Sequence, residues 1–230
     1  MTDRTAARVI GTLFIMATLP FSVSVVVLEP VVGAADVLSQ TSLSATRVHL
    51  GMLLELVNHI SVVGIAVVIY PVLKRFSERL AIGYVAARSI ESVLFAIGTM
   101  NLLTLLLVSQ DFIAAGSPTA GHFHTWAAVL LAGHDWNNAA LPFLAFSLGS
   151  LMLNYGLYQA RLVPRWISAS GLLAAALILA ARVALLSGLE LSPGRVTMMD
   201  APIFLQEMVF AVWLIAKGFD TSVLATQRGP

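Results

Sequence analysis

The 230-residue chain contains no cysteine. Disulfides, zinc–thiolate sites, iron–sulfur clusters and a thiol nucleophile are thereby excluded. Charge is nearly as scarce: Asp, Glu, Lys and Arg make up 11% of residues, against about 25% in an ordinary soluble domain. So few charged side chains cannot coat a water-facing surface. The formal net charge is +1 and no basic block exists, which excludes a nucleic-acid binder. Also absent are a Walker or Rossmann glycine loop, a Gly-x-Ser-x-Gly elbow and an aspartate-rich diphosphate motif. What the chain does have is apolar sequence, with 58% hydrophobic residues and a mean hydropathy of +0.89. That balance defines an integral membrane protein.

A spanning helix needs about 20 apolar residues. Six windows meet or approach this: residues 9–28, 48–73, 80–108, 136–160, 166–189 and 200–217. They predict an all-α fold, a polytopic membrane helical bundle forming one transmembrane domain over residues 1–230. The first window follows Arg4 and Arg8, as a signal peptide would. Its apolar run reaches Leu28 with no small-x-small cleavage site, so it reads as a retained helix. One stretch, His122 to Trp136, is apolar but too short to cross. Joined to the fourth span it would make a helix of about 58 Å, nearly twice the hydrocarbon thickness. It is read as a short outer-surface or re-entrant helix packed over the bundle. One long helix bent near Pro142 is the alternative.

Lysine and arginine placement sets an orientation. With the N-terminus inside, the inner segments hold Arg4, Arg8, Lys74, Arg75, Arg79, Arg161, Arg165, Lys217 and Arg228. The outer loops hold only Arg47 and Arg195. The expectation is a multi-pass protein of the cytoplasmic (inner) membrane with both termini cytoplasmic.

The informative residues are the ionisable ones inside spans. An unpaired charge at a helix centre costs about 2.5–3.5 kcal/mol, so Glu55, Arg88, Glu91, Arg182 and Glu207 together would cost roughly 12–17 kcal/mol. That equals the whole stability of an ordinary domain, about 5–15 kcal/mol. These groups are therefore expected to face inward and find partners. By helix rise, Glu55, Arg182 and Glu207 sit roughly 9–11 Å below the outer hydrocarbon edge, so a Glu–Arg–Glu cluster across three helices is geometrically open. Gly51, Glu55, Asn58 and His59 form one stripe; Tyr84, Arg88, Glu91, Phe95 and Gly98 form another; Asp200 and Glu207 share a third. The uncharged first helix reads as lipid-facing or peripheral. A purely structural role is the competing reading, with Arg88 and Glu91 pairing locally at i,i+3 and Arg182 clipping two helices together.

All five histidines fall in the outer half or outer loops. His122, His124, His134 and Asp135 could offer metal or haem ligands, with His134 and Asp135 the stronger outer-side candidates. Their spacing matches no metal signature, so no cofactor and no metal are expected. Trp126, Trp136, Trp166 and Tyr158 read as interfacial belt residues.

Four segments then carry a resemblance: YPVLKRFSERLAIGYVAARSIES, GHDW at Gly133–Trp136, LYQARLVPRWISASGLL and PIFLQEMVFAVWLIAKGF. In this order they resemble the domain-of-unknown-function family 4386 of bacterial multi-span membrane proteins, over residues 4 to 220. The matching residues include Arg88, Glu91, His134, Asp135, Pro164, Arg165, Glu207, Lys217 and Gly218. The resemblance implies a membrane bundle and no activity. From the residues, the favoured function is an intramembrane polar pocket, built from Glu55, Asn58, His59, Arg88, Glu91, Arg182 and Glu207. It would bind a lipophilic, lipid- or isoprenoid-like small molecule. If the pocket is catalytic, a glutamate is the acid–base group and an arginine stabilises developing negative charge. A small proton-coupled carrier and a non-catalytic scaffold or accessory subunit are the alternatives. The partners expected are the bilayer and that small molecule, with homo-oligomerisation open.

Overall fold

A computed structural model describes residues 2–117, 121–189, 191–220 and 222. Eight helices and no strands are present among them: α1 (Asp3–Val32), α2 (Val37–Leu43), α3 (Ala45–Lys74), α4 (Glu78–Ala114), α5 (His122–Ala139), α6 (Leu141–Ala160), α7 (Arg165–Leu186) and α8 (Pro193–Ala216). Arg228, assigned above to the inner segments, lies outside the described residues.

Local chemistry explains the helix ends. Thr2 accepts a hydrogen bond from the Thr5 amide, Asp36 from Ser39 and Ser77 from Leu80, each capping orphan amides at a helix start. Arg161, at φ +53°, ends α6, and Pro164 fixes the entry to α7. The break between α5 and α6 falls at Ala140, two residues before Pro142. A proline ring removes one helix hydrogen bond and crowds the carbonyl four residues earlier. The 122–160 segment is thus two helices, as expected, with the interruption caused by the proline that the alternative reading used for a bend.

The long helices form a closed ring in the order α1, α3, α4, α6, α7, α8 and back to α1, each packing on its neighbours. Six segments are long and apolar enough to cross a membrane: α1, α3, α4, the α5–α6 pair, α7 and α8. Outward residues such as Val26, Leu173 and Leu205 remain largely exposed, which is the surface lipid would cover. α4 has 37 residues, about 55 Å of helix, so it overshoots a hydrocarbon layer of about 30 Å. α5 packs along this excess length, with Phe112 of α4 against Phe123 and His124 at 5.8 and 5.4 Å, and α2 packs there too.

The two ends of the bundle differ. The end bearing the described chain termini is tied by Asp3–Arg75 at 2.9 Å and by the Asp220 amide on the Leu162 carbonyl at 2.9 Å. It carries a crevice lined by Arg161, Arg165, Lys217 and Asp220. α2 and α5 lie at the opposite, far end.

One expectation is overturned here. α1 is not peripheral: it closes the ring between α3 and α8. Small residues rather than charge put it there. A Cβ on Gly11 would lie 2.6 Å from the Ala211 carbonyl oxygen of α8, so the two backbones meet at a distance only glycine allows. Phe14 stacks edge-on against Phe210 one turn further along, at 5.3 Å.

Candidate functional site

Beyond the Gly11 and Phe14 contacts, α1 and α8 enclose a cavity of about 500 Å³. Its wall is chiefly aromatic. Phe21 of α1, Phe95 of α4 and Phe143 of α6 pack mutually at 5.2–6.4 Å, and Phe146 joins them. Into this wall are set Thr18, Asn58, Arg88, Glu91, Asp200 and Glu207. The rim is formed by Val25 of α1 and by Thr197, Ala201 and Phe204 of α8, all exposed. The cavity therefore opens sideways between the far-end halves of α1 and α8.

Each buried charge has an identifiable neighbour, as the cost of an unpaired charge demands. Arg88 and Glu91 form an ion pair at 2.8 Å, and both are almost fully buried. The Arg88 guanidinium also lies over the Phe146 ring at 5.1 Å. Arg182 of α7, only 1% exposed, pairs with Asp200 at 2.6 Å and lies over the Phe143 ring at 4.5 Å. Glu207 accepts a hydrogen bond from the Thr18 hydroxyl at 3.0 Å, with Arg88 close enough for their charges to interact.

A second polar group lies behind Asn58, on the side of the cavity away from α8. The Thr99 hydroxyl donates to Glu55 at 2.6 Å and stands 3.1 Å from His59 Nε2. His59 Nδ1 is 3.2 Å from the Asn58 side-chain oxygen, whose amide nitrogen donates to the Ala17 carbonyl at 2.9 Å. That last bond fixes the Asn58 orientation, so His59 Nδ1 carries a hydrogen. Two arrangements then satisfy every group. Either Glu55 is ionised and His59 Nε2 also donates to Thr99, or Glu55 carries a proton, donates to Thr99, and the hydroxyl turns to His59. They differ by one proton moved along three residues.

These positions correct the expected Glu55–Arg182–Glu207 cluster. Arg182 meets Asp200, Glu55 meets Thr99, and Glu207 meets Thr18. Helix rise gave the three residues a common depth but not a common bearing. In the ring α3 stands opposite α7, so Glu55 and Arg182 face different neighbours. Of the expected pocket residues, Asn58, Arg88, Glu91 and Glu207 line the cavity, while Glu55, His59 and Arg182 sit one layer behind it. The predicted stripes hold otherwise: Gly51, Glu55, Asn58 and His59 are all buried on α3, as are Tyr84, Arg88, Glu91, Phe95 and Gly98 on α4.

The outer-side candidates separate. His134 is buried at 5% exposure, near Glu55 in charge terms and 3.5 Å from the exposed Asp135. His122 and His124 lie against Phe123 and Phe112 at the start of α5. Among the described residues, no three His, Asp or Glu side chains converge as metal ligands would. Thr18 and Thr99 were missed in the sequence, being neutral residues in apolar helices. Thr99 was within reach of the helical arithmetic, since it continues the α4 stripe four residues past Phe95.

A ring of long apolar helices around a partly charged cavity defines a polytopic α-helical membrane protein. The profile of a domain of unknown function (DUF4386) matches residues 9–218, and the chain belongs to that family. No curated protein and no solved structure matches it.

Proposed function

We propose that this protein binds a lipophilic small molecule in the ring cavity, with the ligand entering sideways from the bilayer. One observation carries the reading: a phenylalanine-walled void of about 500 Å³ opens between two membrane helices and has Arg88, Glu91 and Glu207 in its lining. Such a site suits an amphiphile, its hydrocarbon part against the rings and its polar end against Arg88, Glu91 and Glu207. The test is mass spectrometry of material co-purified with the wild-type chain and with Ala201→Trp, which blocks the rim. A specific amphiphile present in the first and absent from the second supports the reading. Equal lipid profiles in both would defeat it.

The orientation belongs to the same proposal: an inner-membrane protein with both termini cytoplasmic. The basic residues at the terminus-bearing end support it. Because the chain has no cysteine, single cysteines report topology without background. On intact cells, Arg47→Cys reacts with a membrane-impermeant maleimide and Arg79→Cys reacts only after lysis; the reverse pattern would invert the orientation.

A further inference from the structure

Resting on that reading, we propose that the polar end of the ligand is a cation, an amine or quaternary ammonium head, held by Glu207 at the inner end of the cavity.

The charge count points this way. Around the cavity stand two arginines and three carboxylates. Arg88 is answered by Glu91 at 2.8 Å and Arg182 by Asp200 at 2.6 Å. Glu207 is hydrogen-bonded by the neutral Thr18 hydroxyl, and it shares the field of an arginine already paired elsewhere. With all five groups ionised, the cavity carries one uncompensated negative charge. In a low dielectric such a charge draws a counter-ion or a proton.

Accessibility selects the same group. Arg88, Glu91 and Arg182 are 3%, 2% and 1% exposed, whereas Glu207 and Asp200 keep accessible surface in the cavity lining, and of these two Asp200 already has Arg182 at 2.6 Å. Three guanidinium nitrogens without hydrogen-bond partners, Nε of Arg88 and Nε and Nη1 of Arg182, are fully enclosed. The two arginines lie over the rings of Phe146 and Phe143. An anionic head would meet the surplus carboxylate and would compete with Glu91 for an arginine already in an ion pair. A cationic head finds that carboxylate together with the accessible rings of Phe21 and Phe204, and ring faces attract cations. A small hydrated metal ion is disfavoured because, among the described residues, no three carboxylate or imidazole side chains converge to replace its water.

The experiment compares heads on one tail. Equilibrium dialysis of the purified chain in maltoside micelles uses radiolabelled decyltrimethylammonium, decanol and decanoate, with wild type and Glu207→Gln. Wild type is expected to bind the trimethylammonium probe about tenfold or more tightly than the other two. E207Q is expected to lose that preference and keep its affinity for decanol. Decanol or decanoate binding as well as the cation, with saturation, would overturn the head-group assignment and leave the cavity reading standing. No saturable binding by any probe would sink both. The wild-type series decides the matter even if E207Q fails to fold.

Discussion

The Thr99 hydroxyl lies 2.6 Å from the Glu55 carboxylate and also reaches His59. A single neutral side chain therefore satisfies a buried acid on α3 and the imidazole one turn along it. The same two helices are joined by Ser92 donating to the His59 carbonyl at 3.2 Å.

Thr99→Val keeps shape and removes both contacts. Leaving a buried polar group without a partner costs about 1–3 kcal/mol, and that loss is expected in thermal unfolding of the detergent-solubilised chain. Thr99→Ser retains the hydroxyl and should unfold close to wild type. Equal stability of the valine and serine variants would show that the chain from Glu55 to Asn58 contributes nothing.

The Arg182–Asp200 pair ties α7 to α8 at the cavity. Removing one member of a buried pair costs about 3–5 kcal/mol because the other charge is stranded, whereas replacing both with apolar residues is often neutral. Arg182→Met alone should be strongly destabilising, and Arg182→Met with Asp200→Leu should recover most of the loss. A double-mutant cycle with no coupling would contradict the pairing.

Gly11 lets α1 touch α8. Its substituent would meet the Ala211 backbone oxygen, which cannot rotate away, and Ile215 at 2.8 Å. Gly11→Val is expected to destabilise by about 1–3 kcal/mol, the usual cost of overpacking. Gly194 has open space around it, and Gly194→Ala serves as the control with little change in unfolding temperature.

Asp36, at the start of α2, accepts hydrogen bonds from Ser39, which hold its carboxyl below the usual 3.8. The capped state is stabilised above that ordinary value, and the stabilisation is lost as pH falls through the lower folded value. Amide exchange at Ser39 should speed up on acidification relative to the amides of α3. Asp36→Asn should abolish the difference. A wild-type protection factor that does not change with acid would exclude the cap.

Much of this architecture was legible from hydropathy, because a bilayer tolerates only helices whose backbone is satisfied internally. The buried stripes on α3 and α4 were legible as well, since 3.6-residue periodicity places Glu55 with His59 and Arg88 with Glu91 without any tertiary knowledge. The role of α1 was not. Its position depends on backbone approach at Gly11, and a glycine in an apolar helix looks the same whether it faces lipid or another helix.

The site divides along the same line. Sequence alone determined that the chain spans the membrane and that five ionisable groups lie at depths where each needs a partner, because burial cost depends only on composition and distance along a helix. Tertiary structure alone decided which partner each one found. Rotation about the helix axis and order around the ring are set by packing, and they sent Arg182 to Asp200, Glu55 to Thr99 and Glu207 to the wall of an open cavity.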